Sequence, residues 1–242
     1  MRKIGLIGGM SWYTTALYYK HINEQIARRV GGVASAPMAI ESFNFADLAQ
    51  AKSDEDWKAI GKELTLAARR LVRSGATAVF ICANSMHRVF DELEAKLDIP
   101  VIHIADCVGE KMKADGIATA ALIGPRNVMT ENWYRQRLVQ HGVKLSPPNM
   151  ARADEIDRII YSELMRGEVK RDAQRTMKTF LTDIDKQGVK AVVLGGTELG
   201  MVVDTRANIL PIYDSAIIHA RAAVDWILEE DNVPSAPKGD AP

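Results

Sequence analysis

Short apolar runs alternate with longer amphipathic segments along almost the whole chain, and this alternation is what most limits its fold. Residues 3–7, 37–43, 77–82 and 100–104 are runs of strand length, and 118–123, 189–194 and 210–213 repeat the pattern later. Between them, residues 13–30, 56–73, 85–97, 130–141, 153–165, 171–187 and 215–230 carry helical spacing. In the third of these, Met86, Val89, Phe90, Leu93 and Leu97 fall on one helical face. Strands that alternate with helices predict an α/β fold with mainly parallel sheets covered on both faces.

Two echoes predict that the pattern is duplicated. Leu6-Ile7-Gly8 recurs as Leu122-Ile123-Gly124, 116 positions on. The run Val79-Phe80-Ile81-Cys82-Ala83-Asn84-Ser85 recurs in character as Val192-Val193-Leu194-Gly195-Gly196-Thr197-Glu198, 113 positions on. The expected architecture is two similar Rossmann-like lobes, parallel-rich sheets flanked by helices, with a ligand cleft between them. Residues 1–105 form the first lobe, completed by a C-terminal helical segment over 211–231. Residues 106–210 form the second, and the Pro- and Gly-rich stretch 232–242 is read as a flexible tail. In open α/β sheets ligands sit beyond the carboxyl ends of strands. Ala83 and Gly196 are therefore expected on opposite walls of one cleft.

Charge and cysteine content remove several classes of function. Lys plus Arg and Asp plus Glu both number 31, with no basic stripe, so neither nucleic acid nor a membrane surface is an expected partner. Cys82 and Cys107 form no CxxC pair, which argues against a disulfide framework or a zinc site. The first apolar run is too short for a secretory signal, and no run reaches the roughly 20 residues of a membrane span. A cytoplasmic chain is expected.

Four segments bear groups suited to chemistry. Gly5-Leu6-Ile7-Gly8-Gly9-Met10-Ser11 ends a strand before a helix, where backbone N–H groups can meet an anion or simply pack closely. Its spacing is not GxGxxG; a nucleotide-cofactor reading would rest on Glu41 at the end of the next strand. Cys82-Ala83-Asn84-Ser85-Met86-His87 places Asn84 or Ser85 as a helix cap and His87 in the first turn. Strand alternation turns Cys82 away from the cleft if residue 83 faces it. Gly195-Gly196-Thr197-Glu198 could cap a helix or hold an amino group, and Asp214 or Ser215 reads as the cap of the last helix.

Together these segments resemble the aspartate/glutamate racemase family, in particular its broad-specificity amino-acid racemase branch. Gly8-Gly9-Met10-Ser11-Trp12 with Tyr18-Tyr19 is similar to that branch's GGMSW…YY opening. Ala83-Asn84-Ser85-Met86-His87 is similar to (C/T)NTMH, and Leu194-Gly195-Gly196-Thr197-Glu198 to LGCTE. Ile102-His103-Ile104-Ala105-Asp106 and Asp214-Ser215 with His219 also fit, so the resemblance runs nearly end to end.

The resemblance implies a cofactor-independent isomerase in which two residues face the α-carbon from opposite sides. One removes the α-proton and the other returns a proton to the opposite face. A cysteine suits both tasks once its pKa is tuned. Those two positions map onto Ala83 and Gly196, which carry no proton-transferring group. His87 and Glu198 are then the remaining candidates for proton transfer. Met10, Ser11, Lys52, Asn84, Ser85, Val128, Glu168 and Thr197 map onto substrate-binding positions. Pro125 and Val128 replace hydroxyl residues of relatives, Lys52 a glutamine and Glu168 a lysine. The expectation is a racemase-like protein, free of metal and cofactor, with negligible two-base racemisation of aspartate or glutamate. The alternative is a non-catalytic binder of an amino acid or small carboxylate. Relatives are often dimers, so the resemblance also suggests a homodimer.

Overall fold

The structure, a computed structural model, describes residues 1–48, 51, 53–206 and 208–229. Lys52 and the stretch 232–242 lie outside the described residues. The first sheet holds β1 (Ile4–Gly8), β2 (Met38–Ser42), β3 (Val79–Ile81) and β4 (Val101–Ile102) in the order β2-β1-β3-β4. The second holds β5 (Thr119–Ile123), β6 (Lys144–Leu145), β7 (Val192–Leu194) and β8 (Ile212–Asp214) in the order β6-β5-β7-β8. Every pairing is parallel. The two orders are the same once β5 is matched with β1 and β7 with β3, the two pairs of segments that echo in the sequence.

Side chains alternate across each strand, so each sheet needs cover on both faces. Ile4, Leu6, Phe80 and Cys82 pack against Tyr18, Ile22 and Ile26 of α1 (Trp12–Val30) and Ala220, Val224 and Ile227 of α10 (Ser215–Leu228). On the opposite face Ile7, Val79 and Ile81 meet Leu64, Ala68 and Leu71 of α3 (Asp54–Arg73) and Phe90 and Leu93 of α4 (Phe90–Glu94). In the second sheet Ala120, Leu122 and Val193 pack on Val108 of α5 (Ile104–Ala114) and Tyr134 of α7 (Asn132–Gln140). Ala121, Ile123, Val192 and Leu194 pack on Ile159 of α8 (Met150–Ser162) and Phe180 of α9 (Arg171–Asp185). Two short helices, α2 (Phe45–Leu48) and α6 (Arg126–Thr130), complete the set. α10 follows β8 of the second sheet but covers the first, so the chain crosses back at its end.

Three local readings of the sequence are corrected. Residues 85–97 do not form one helix: a 3-10 turn, Ser85–Val89, precedes α4. Asn84 makes no side-chain cap there, because its amide donates to Ser215 Oγ at 3.0 Å. Residues 130–141 divide at Glu131, whose backbone is extended at φ −85° and ψ 152°. α5 escapes the sequence reading because its cap is His103, whose Nδ1 accepts the Ala105 N–H at 3.0 Å. Asp214 does cap α10, accepting from Ala216 and Ile217. Among the described residues no helix is long and apolar enough to cross a membrane.

Candidate active site

The carboxyl ends of the four central strands meet at one cavity of about 330 Å³. Met10 follows β1, Ala83 to Met86 follow β3, Pro125 to Asn127 follow β5 and Gly196 to Glu198 follow β7, and all of them line it. Ala83 and Gly196 therefore bound the same space from the two sheets. Ala83 brings a methyl group and Gly196 a hydrogen. A Cβ added at Gly196 would lie 3.2 Å from Pro125 Cδ and 3.3 Å from Leu199 Cδ1, so the wall is closely fitted around the missing side chain.

Glu198 is buried at this wall, and its carboxylate is held by the other sheet's first helix. Oε1 accepts from Ser11 Oγ at 3.0 Å, Thr14 Oγ1 at 2.9 Å and Ser11 N–H at 3.4 Å, while Oε2 accepts from Thr197 Oγ1 at 3.0 Å. A helix N-terminus favours an anion. The anion at the start of α1 is thus the protein's own Glu198, and Ser11 stands behind it as helix cap. Gly9 closes the same corner. Its φ of +86° suits glycine, and a Cβ there would sit 2.1 Å from the Phe43 carbonyl oxygen. Gly8 and Gly9 are both closely packed, against Thr15 and Phe43, and Glu41 is tied to Arg70 at 2.9 Å.

Asn84 is buried on the cavity wall. Its Nδ2 donates to Ser215 Oγ, and its Oδ1, itself buried, has no hydrogen-bond partner among the described residues. An unpaired buried acceptor costs about 1–3 kcal/mol.

A family model for Asp/Glu/Hydantoin racemase matches residues 7–223. The chain belongs to the Asp/Glu/Hydantoin racemase family. A candidate Asp/Glu racemase from Yersinia pestis is 34% identical, with a TM-score of 0.86 over 95% of this chain and 100% of that one. An aspartate racemase homologue from Pyrococcus horikoshii OT3 is 30% identical, with a TM-score of 0.80 over 95% and 100%. Aspartate racemase from Picrophilus torridus shares the fold at 16% identity, with a TM-score of 0.68 over 93% and 94%.

Set in the racemase fold, the sequence-derived site residues separate into groups. Met10, Ala83, Asn84, Ser85, Gly196, Thr197 and Glu198 come together at the cavity. Val128 does not line it; it is buried behind Gly195, 2.8 Å from where a Cβ of that glycine would stand. Glu168 is exposed and pairs with Lys170 at 3.5 Å. Lys52 is outside the described residues. Cys82 is fully buried on the α1 and α10 face, where burial pushes its thiol well above the ordinary range.

His87 is absent from the cavity lining. Its Nδ1–H donates to the Ala83 carbonyl at 2.9 Å and its Nε2 accepts the Ile104 N–H at 3.3 Å. That pair of contacts specifies the neutral imidazole, and burial lowers its pKa to about 4. His87 thereby positions the Ala83 backbone.

Sequence reasoning missed Arg88, Glu131, Asp157 and Tyr161, all of which line the cavity. Arg88 and Glu131 bond each other at 3.0 Å, and Asp157 Oδ1 accepts the Arg126 N–H at 2.8 Å. Burial raises the Asp157 pKa above the usual carboxylate value. Asp157 and Tyr161 lie one turn apart on α8, a spacing that signals a shared face but not which cavity it meets.

Proposed function

We propose that this chain is a racemase-like binder of a small amino acid or carboxylate in which the two-base proton transfer has been lost. The observation that carries this reading is a cavity at the strand ends whose positions 83 and 196 offer only a methyl group and a hydrogen. Positions 83 and 196 bound the cavity from the two sheets, yet neither supplies an acid or a base to the ligand they would flank. A positioned acid or base is worth roughly 100- to 10,000-fold in rate. Losing both removes most of the acceleration available to a two-base racemase. The reading requires no cofactor, and the cytoplasm is the compartment it fits.

The test is deuterium exchange at the α-carbon of aspartate and glutamate, followed by chiral separation. Exchange no faster than in a protein-free control is expected. Rapid exchange with racemisation would overturn the reading. A second reading, altered chemistry in the same cavity, is favoured by Asp157, a half-buried carboxyl with a raised pKa on the wall. Under that reading exchange is present and disappears in Asp157→Asn.

A further inference from the structure

We propose that the variable group of the ligand is apolar, and that the cavity takes an α-amino monocarboxylate with an aliphatic or aromatic side chain in preference to aspartate or glutamate. This rests on the amino-acid-binding reading above and narrows it. Two features of the cavity carry it.

The first is charge. Among the described residues the charged wall consists of Arg88, Arg126, Glu131, Asp157 and Glu198. Both cations are already engaged. Arg88 bonds Glu131 at 3.0 Å and Asp54 at 3.2 Å and lies over the Trp57 ring at 4.9 Å, while Arg126 pairs with Asp154. Every ligand of this class already brings one α-carboxylate to this wall; a second, on the side chain, would have to displace a further protein carboxylate from an arginine and would add repulsion from Glu131, Asp157 and Glu198. An ammonium group meets a favourable field from the same three acids, and a neutral side chain avoids the repulsion.

The second feature is the apolar wall. Met10, Phe45, Leu48, Trp57 and Met86 line one side of the cavity and belong to, or pack on, the first sheet's α3-covered core. An apolar group laid against them leaves water without exposing an unmet polar atom. Burial of a leucine- or phenylalanine-sized side chain is worth about tenfold or more in affinity.

The experiment is an NMR titration of the intact chain with both enantiomers of norleucine, phenylalanine, aspartate and glutamate. It is repeated on Trp57→Ala and Leu48→Ala. The expected result is that norleucine or phenylalanine binds at least about tenfold more tightly than either acidic amino acid. That advantage should shrink in both Trp57→Ala and Leu48→Ala, with the variants' spectra showing an intact fold. Aspartate or glutamate binding equally or more tightly overturns the inference and leaves amino-acid binding standing. An advantage unchanged in both wall variants also overturns it. Binding by none of the eight compounds overturns both the inference and the reading beneath it.

Discussion

Position 196 is closely fitted by its surroundings. The Cβ of a cysteine there would press on Pro125 Cδ and on the Leu199 side chain at 3.2–3.3 Å, closer than comfortable carbon–carbon contact. Leu199 can give a few tenths of an ångström; the Pro125 ring is tied to the start of α6. Ala83→Cys with Gly196→Cys should therefore give weak α-proton exchange, and adding Pro125→Thr should raise it further by relieving that contact. Deuterium incorporation into both norleucine and aspartate measures the series, and equal rates in the double and triple variants would show that Pro125 does not limit the site. Glu198 behaves differently, because its value is in the hydroxyls it satisfies. Glu198→Ala leaves Ser11, Thr14 and Thr197 without their shared acceptor and should cost about 1–3 kcal/mol of stability, while Glu198→Gln should cost less. Urea midpoints of the two variants separate these outcomes.

At the scale of elements, the strands were legible because a strand buried on both faces leaves a continuous apolar run. β3, β5 and β7 fall within such runs, and β1 extends past its run by Gly8 alone. Helices were legible wherever one face was apolar and a standard cap preceded it, as at α3, where Ser53 and Asp56 form a capping box. α5 was not, because nothing local marks His103 as a cap. The split of 85–97 was hidden for a related reason: burial of Met86, Val89, Phe90 and Leu93 follows helical spacing even though the chain tightens into a 3-10 turn. The residues at the ends of the central strands could be found from motif and strand-end logic. Arg88, Asp157 and Tyr161 could not, since their approach to the cavity depends on tertiary packing that no local pattern encodes. Packing between elements also sets a stability test. The Cβ of Gly5→Ala in β1 would stand 2.8 Å from Leu71 Cβ of α3 and 3.2 Å from Ala76 Cβ, atoms fixed to backbone. The strand and helix must part, and a loss of about 1–3 kcal/mol in denaturant unfolding is expected. An unchanged midpoint would mean that the β1–α3 contact is looser than these distances.

At the scale of the molecule, the join between the two sheets contains a cluster of neutral histidines, and this makes the whole fold acid-sensitive. His87 follows β3, His103 caps α5 of the second sheet and His219 lies on α10, which crosses back to the first. Ring centroids of His87 lie 4.5 Å from His103 and 5.9 Å from His219. Each imidazole is fixed in one neutral form. His219 Nε2–H donates to the Ile102 carbonyl at 3.0 Å while its Nδ1 accepts from the Tyr18 hydroxyl at 2.8 Å, and His103 Nδ1 accepts the Ala105 N–H. Burial is the first cause of depression in all three. It brings His87 to about 4 and His219 to about 3, and holds His103 well below 6.5, with His87 and the nearby Arg137 guanidinium adding repulsion. In the unfolded chain each would titrate near 6.5. Above that value both states are neutral and stability is fully present. As pH falls from 6.5 toward 4, the unfolded chain takes up protons that the folded chain refuses, and stability drops by up to about 1.4 kcal/mol per pH unit for each histidine. Three together give a slope approaching about 4 kcal/mol per unit, and most of its upper range, between roughly pH 6.5 and 5.5, lies above ordinary carboxylate titration. Urea unfolding at pH 7.5, 6.5, 6.0 and 5.5 should show a midpoint that is flat at first and then falls steeply. His219→Gln, which keeps a donor and an acceptor on the ring's side of α10, should reduce the slope by about one third. A midpoint independent of pH across this window would show that the cluster is hydrated or already charged in the folded chain.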